Sequence, residues 1–368
     1  MKGKNTLLSI LLISLIALPA FAKKNTKPKR SLRIHGGIQF FTDYYKFNDT
    51  NNYGTSLRNV LFGVKGKIKN RITFMVRIKS DYSYGTGITL KPSRTWFDIE
   101  LFPPLHLRLG KEFAPTSRFA LYDQYSMISA QRVGYYTYIG PLYGLYTFYA
   151  LGTIYPDQGI YFWGKFSPLQ TFHIKYYASF LNGFYAGTEP ISKKGRFVGR
   201  LQINIGRPES DYSQKGFYFG KNTFSLGYSY DRDLNFYDTD GDKIVDNPSQ
   251  NHTFDLFIER VQGPVVINIE GSYIIWNDLN EKLLNDYKAK FGRVAIYLPK
   301  IHLQPYFSYE DYKFDRDYIY KFRILKFGLN YYLQRDLSFR LGYAYFKRTI
   351  KEAKVRYHNI FLGVFFKF

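Results

Sequence analysis

The sequence predicts an all-β chain closing into a transmembrane antiparallel β-barrel of 16 strands, with 18 as the alternative count and one long loop folded into the lumen. Three observations carry this. Segments about ten residues long alternate polar and apolar side chains along most of the chain, so each has two different faces, as a strand does. Short turns alternate with long polar loops, the pattern of outer-membrane barrels. Aromatic residues are in excess, with 36 Tyr, 34 Phe and 3 Trp among 368 residues, yet the mean hydropathy is only −0.31. That polarity excludes a bundle of membrane helices, since each helical span needs about 20 apolar residues.

From the N-terminus, Lys2 and Lys4 precede the apolar run Leu7 to Leu18, and Pro19-Ala20-Phe21-Ala22 supplies a small-residue cleavage site. This is the layout of a cleaved signal peptide over 1–22, a retained anchor being the alternative. A short periplasmic segment, 23–31, then leads to a barrel over 32–368. Alternation places strands at 32–43, 57–68, 72–81, 95–102, 105–113, 159–166, 172–180 and 196–205. The second half continues at 222–231, 252–260, 265–276, 290–298, 301–310, 322–333, 337–346 and 359–368. Tight turns such as 69–70, 103–104, 167–168 and 299–300 mark one end, with 206–221 somewhat longer. The connections 44–56, 82–93, 114–158, 181–195, 232–251 and 277–289 mark the other. A hairpin within 114–158 would raise the count to 18. An even number puts both termini on the periplasmic side.

Sixteen strands leave an aqueous channel, where eight would be filled by side chains. Strand parity puts Arg33, Lys65, Lys67, Arg77, Lys79, Arg108, Lys165, Lys175, Arg196, Arg200, Arg293, Lys326, Arg340 and Lys367 on the inner wall. Asp81, Asp98, Glu100, Asp255, Glu259 and Glu270 share it, so the expected lumen is net positive and anion-preferring. The chain as a whole carries 52 Lys+Arg against 29 Asp+Glu. Its cations are spread over all strands rather than gathered on one face, which argues against nucleic acid as the partner. If 114–158 folds inward, Arg118 and Arg132 stand at a constriction.

The absence of cysteine excludes disulfides, thiolate metal sites and cysteine nucleophiles. Asp238, Asp240, Asp242 and Asp246 place oxygen ligands around Gly241 in a spacing that suits calcium, an uncoordinated acidic loop being the alternative. The six histidines show no metal-ligand spacing, and no nucleophile elbow or phosphate-binding glycine loop is present. The expectation is a passive diffusion channel without enzymatic chemistry. Alternatives are a closed structural or adhesive barrel and, third, a lipid hydrolase, which needs a Ser-His pair facing the lipid.

Several segments resemble the phosphate-selective porin family, in the order that family shows them. They are Arg58 to Gly66 (RNVLFGVKG), Asp81-Tyr82, Leu109 to Pro115 (LGKEFAP), Leu181-Asn182-Gly183, Phe217 to Lys221 (FYFGK), Pro305 to Tyr309 (PYFSY) and Phe327 to Tyr332 (FGLNYY). The chain departs from the family at Asn59 and Leu61, where further arginines are usual. The resemblance implies a homotrimeric, 16-stranded channel in the outer membrane of a Gram-negative-type bacterium, with an inward loop and basic residues that guide small anions such as phosphate. Terminal Phe368 resembles the residue by which the barrel-assembly machinery recognises its clients.

Overall fold

The computed structural model describes residues 31–47, 50–68, 71–83, 87–122, 125, 127–128, 156–183, 195–237, 247–278, 286–315, 320–350 and 353–368. The strands are β1 (Ser31–Phe47), β2 (Thr50–Ile68), β3 (Ile72–Ser83), β4 (Gly87–Phe102), β5 (Leu105–Phe113), β6 (Pro156–Phe166), β7 (Phe172–Leu181) and β8 (Arg196–Gly206). They continue as β9 (Thr223–Tyr237), β10 (Asn247–Gln262), β11 (Val265–Asp278), β12 (Asp286–Tyr297), β13 (Leu303–Asp315), β14 (Tyr320–Gln334), β15 (Leu337–Ile350) and β16 (Ala353–Lys367). Each pairs antiparallel with its sequence neighbours, and β1 pairs β16, so the sheet closes into a 16-stranded barrel. Closure leaves no unpaired edge, the condition for strands to cross hydrocarbon. β5 pairs β6 directly from His106↔Trp163 to Phe113↔Pro156, so no hairpin lies between them in the wall and the count of 18 is excluded.

The distribution of side chains is the reverse of that in a soluble protein. On β7 the inward residues His173, Lys175, Tyr177, Ser179 and Leu181 are buried, while Phe180 on the outward face is exposed. Leu32, Ile34, Phe62, Leu201, Phe254, Phe327 and Leu362 are likewise exposed on the outer wall. Inside, aromatic clusters form around Tyr161, Trp163, Tyr177 and Tyr212, around Phe217, Tyr297, Tyr306 and Tyr332, and around Phe41, Phe361 and Phe365. The excess of aromatic residues therefore serves both faces of the wall.

Several strands run further than their alternation indicates. The loops expected at 44–56 and 82–93 are largely strand, because β1 continues to Phe47, β2 starts at Thr50 and β4 starts at Gly87. Beyond the apolar belt both faces meet water, so the period-two hydrophobic signal fades while the hydrogen-bonded ladder continues. A bulge adds to the effect. Arg77 faces Arg94 but Ile78 faces Pro92, leaving Ser93 unpaired and inverting parity along β4.

The seam between β1 and β16 continues past the last strand residue. The Gly36 amide donates to the Phe368 carbonyl at 2.9 Å, and the Phe368 amide donates to the Gly36 carbonyl at 3.1 Å. A Cβ on Gly36 would meet the Leu61 carbonyl oxygen and the Phe368 ring, both at 2.5 Å. Gly36→Val is therefore expected to cost about 1–3 kcal/mol through overpacking and to lower the yield of heat-resistant folded barrel on gels. Gly292→Ala, where a Cβ meets nothing within 4 Å, should leave that yield unchanged.

Candidate functional site

The inner wall carries two populations of charge. The first is buried. Arg77, Arg94, Arg108, Arg118, Lys175, Arg196, Arg200, Arg293, Lys326 and Arg340 lie out of water, and so do Asp43, Asp98, Glu112, Glu209, Asp231, Asp233, Asp255, Glu259, Glu270 and Glu310. Ten cations thus stand against ten acids among the described buried residues. Several are joined in pairs and networks, while Arg340 donates to backbone carbonyls and Glu259 accepts from backbone amides. Arg196 forks onto Asp231 at 2.8 and 2.7 Å, and Arg200 onto Asp255 at 2.6 and 2.8 Å. Arg94 and Arg108 each reach Glu112 at 2.6 Å, and Arg108 also reaches Asp98 at 2.8 Å. Lys326 donates to Glu310 at 2.6 Å, and Arg293 pairs with Glu270. Burying an ion is tolerable only with such compensation.

The second population is wet. Arg33, Lys65 and Lys67 are exposed on the lumen side of β1 and β2, with Arg33 directly opposite Lys65 and Lys67 opposite Ser31. Lys79 on β3 and Lys165 on β6 are half-buried, and Lys367 on β16 faces Gly37. The solvated cations of this wall are concentrated on β1 to β3, next to the buried Arg77–Arg94 register pair.

The interior is filled from both ends. After Phe113 the chain turns inward, and residues 114–122 are buried around a single helical turn at Phe119–Leu121. The Arg118 amide donates to Asp255 on β10 at 3.1 Å, and the Tyr122 hydroxyl donates to Glu270 on β11. Further on, Arg340 on β15 donates to the carbonyls of Met127 at 2.7 Å and Tyr125 at 3.3 Å, while Asn330 on β14 donates to that of Ile128 at 2.9 Å. The segment thus bridges from β5 to the opposite wall. From the short-turn end, 207–222 also enters the barrel. Glu259 anchors it by accepting from the amides of Tyr218 and Gly220 at 2.8 Å and of Lys221 at 2.7 Å. The two inward segments meet where the Gln214 amide donates to the Leu121 carbonyl at 3.0 Å, and where Tyr212 donates to the Phe113 carbonyl at 2.8 Å.

Arg118 stands at that junction, and its role differs from the expected one. Rather than facing solutes, its guanidinium is fully buried over the Phe257 ring at 3.6 Å and paired with Glu209, one of the contacts being 2.7 Å. Burial disfavours both charges, but their mutual attraction prevails, holding the Glu209 carboxyl far below the usual carboxylate range and Arg118 well above the usual guanidinium value. The expected excess of inner-wall cations is also too large, because Glu112, Glu209, Asp231, Asp233 and Glu310 face inward as well. Glu112 was legible, since it shares the parity of Arg108. Arg94 lies beyond the strand boundary that alternation marked. Glu209 belongs to a turn, where parity says nothing.

Arg132 and the aspartates 238, 240, 242 and 246 lie outside the described residues, as do 1–30, and so do the side chains of Arg58 and Asp81. Among the described residues no group of three or more His, Asp or Glu side chains is placed to hold a metal ion. The outward-facing His252 and His358 hydrogen-bond the hydroxyls of Tyr228 at 2.8 Å and Tyr343 at 2.7 Å.

Arg118→Ala strands Glu209 in the interior and is expected to destabilise the barrel by about 3–5 kcal/mol in denaturant titrations. Replacing both partners with Met should cost less than Arg118→Ala alone. Because the Glu209 carboxyl is depressed, its contribution is complete above the ordinary carboxylate value of about 4.3 and fades as pH falls further. Protease resistance of the inward segments should therefore persist at neutral pH and weaken only in strong acid.

Solved structures share this fold across nearly their full length. A loop L8 deletion mutant of OmpT, an outer membrane protein of Vibrio cholerae, matches with TM-score 0.60 and 13% identity, over 92% of this chain and 99% of that one. The trimer form of OmpT from the same organism matches with TM-score 0.57 and 13% identity, over 92% and 99%. An anion-selective porin from Comamonas acidovorans matches with TM-score 0.58 and 11% identity, over 92% and 100%. No curated protein sequence matches the chain. Over residues 31–138 the sequence matches the family model described as phosphate-selective porin O and P, so the family its motifs resemble is the family whose model it meets.

Proposed function

We propose that this protein is a passive diffusion channel of the outer membrane, assembled as a homotrimer, that prefers small anions and does no covalent chemistry. The observation that carries the reading is the unequal wetting of charge. Buried cations and acids balance, whereas Arg33, Lys65 and Lys67 face the water of the lumen along one stretch of wall. An exposed cationic strip above a low-dielectric wall raises the local concentration of anions and lowers the cost of stripping their hydration. Lysine heads are mobile point charges, so each site holds an anion weakly enough to pass it on. Phosphate and related oxyanions fit this chemistry. The family match over 31–138 supports the channel, and that segment spans β1 to β5, including β1 and β2 where Arg33, Lys65 and Lys67 lie. The anion-selective and trimeric neighbours support the preference and the assembly. Export by a cleaved signal and recognition of Phe368 by the assembly machinery complete the reading.

Planar-bilayer recordings test it. Stepwise conductance with a reversal potential biased towards anions is expected. The triple change Arg33→Gln, Lys65→Gln and Lys67→Gln should lower the anion-to-cation permeability ratio several-fold, and an unaltered ratio would remove these residues from the pathway. The preference should also shrink as salt rises from about 0.1 M to about 1 M, because the screening length falls from about 10 Å to about 3 Å.

A further inference from the structure

The outer wall is layered on β12 to β16. One register row reads Val294, Phe307, Phe327, Tyr343 and Ile360, all apolar or aromatic. The next row towards the long loops reads Gly292, Tyr309, Leu325, Tyr345 and His358. Above it the row becomes Lys290, Asp311, Arg323, Lys347 and Arg356, and then Lys288, Lys313, Lys321, Thr349 and Lys354. Eight cations and one acid occupy two adjacent rows across five consecutive strands, and Asp286 and Asp315 share the face only at the strand ends. At the other end of the same strands, the row Pro305, Leu329, Leu341 and Leu362 remains apolar to aliphatic throughout.

Like charges directly opposite one another weaken a sheet. Lys313 faces Lys321, and Arg323 faces Lys347, which in turn faces Arg356. Within these rows Arg323 pairs with Asp311 at 3.1 Å. An anion placed between such facing cations would relieve their repulsion. A groove of about 730 Å³ reaches the same face from β8 to β12, lined by Leu201, Leu226, Phe254, Tyr273 and Lys290, so an apolar channel ends at a cation.

We infer that this belt binds the phosphate groups of an anionic membrane lipid in the leaflet at the long-loop end, with an acyl chain lying in the groove beside Lys290. The inference rests on the barrel's placement in a membrane and not on conduction. Its recognition chemistry is ordinary: clustered Lys and Arg just above an aromatic row meet phosphorylated headgroups, while the aliphatic rows meet chains.

The test uses the full chain in non-ionic detergent, with lipid binding followed by native mass spectrometry. Diphosphorylated lipid A should bind more tightly than its monophosphorylated form, and phosphatidylcholine most weakly. Arg323→Gln, Lys347→Gln and Arg356→Gln together should weaken lipid A binding by about fivefold per cation removed, with conductance unchanged. The charge-preserving set Arg323→Lys, Lys347→Arg and Arg356→Lys should keep most of the binding. If the glutamine set fails to fold, Lys288→Gln, Lys313→Gln and Lys321→Gln provide the same comparison. Equal binding by the wild type and the glutamine variants, or equal binding of phosphatidylcholine and lipid A, would overturn the inference. Displacement of lipid A by inorganic phosphate would assign the belt to free anions and overturn it as well. Loss of conductance with lipid binding intact would instead count against the channel reading alone.

Discussion

Everything in this molecule depends on the closure of the ladder. In hydrocarbon an unpaired amide or carbonyl has no water to turn to, so the pairing of β1 with β16, extended by the Gly36–Phe368 exchange, is what permits strands to cross at all. Closing with 16 strands then encloses more space than wall side chains alone can fill. The remaining structure is the response to that space.

The response is to fill part of it and leave part wet. Two segments enter, one after β5 and one after β8, and each is tied to the wall through its backbone: Arg340 and Asn330 hold carbonyls, while Glu259 and Asp255 hold amides. An inward segment carries backbone polar groups that would otherwise be buried without partners, which explains why the wall facing it is rich in charged side chains. Many inner-wall cations are therefore structural. Arg118, Arg196, Arg200 and Arg293 neutralise acids within the barrel, whereas Arg33, Lys65 and Lys67 are exposed on the lumen side.

Charge is sorted on the outside too. The same strands that are apolar over most of their length change to lysine and arginine at the long-loop end, so the outer wall has a polarity along the membrane normal as well as across it. Inner cations such as Arg196, Arg200 and Arg293 face acidic side chains within the barrel, whereas on the outer wall Lys313 faces Lys321 and Lys347 faces Arg356.

The sequence by itself determined the architecture, because alternation with period two depends only on one face meeting hydrocarbon and the other not. It therefore revealed the closed barrel, the inward parity of residues such as Arg200 and Lys326, and a family resemblance that the family model meets along 31–138. Only the tertiary structure decided which of those cations are spent on acids, because pairing joins residues far apart in the chain, such as Arg118 with Glu209 or Arg200 with Asp255. It also decided that 207–222 enters the barrel, that Ser93 inverts parity on β4 and that strands such as β2 and β4 run past the ends that alternation marks. Local pattern reports the solvent on each side of a strand, whereas charge compensation depends on what another part of the chain brings to the same place.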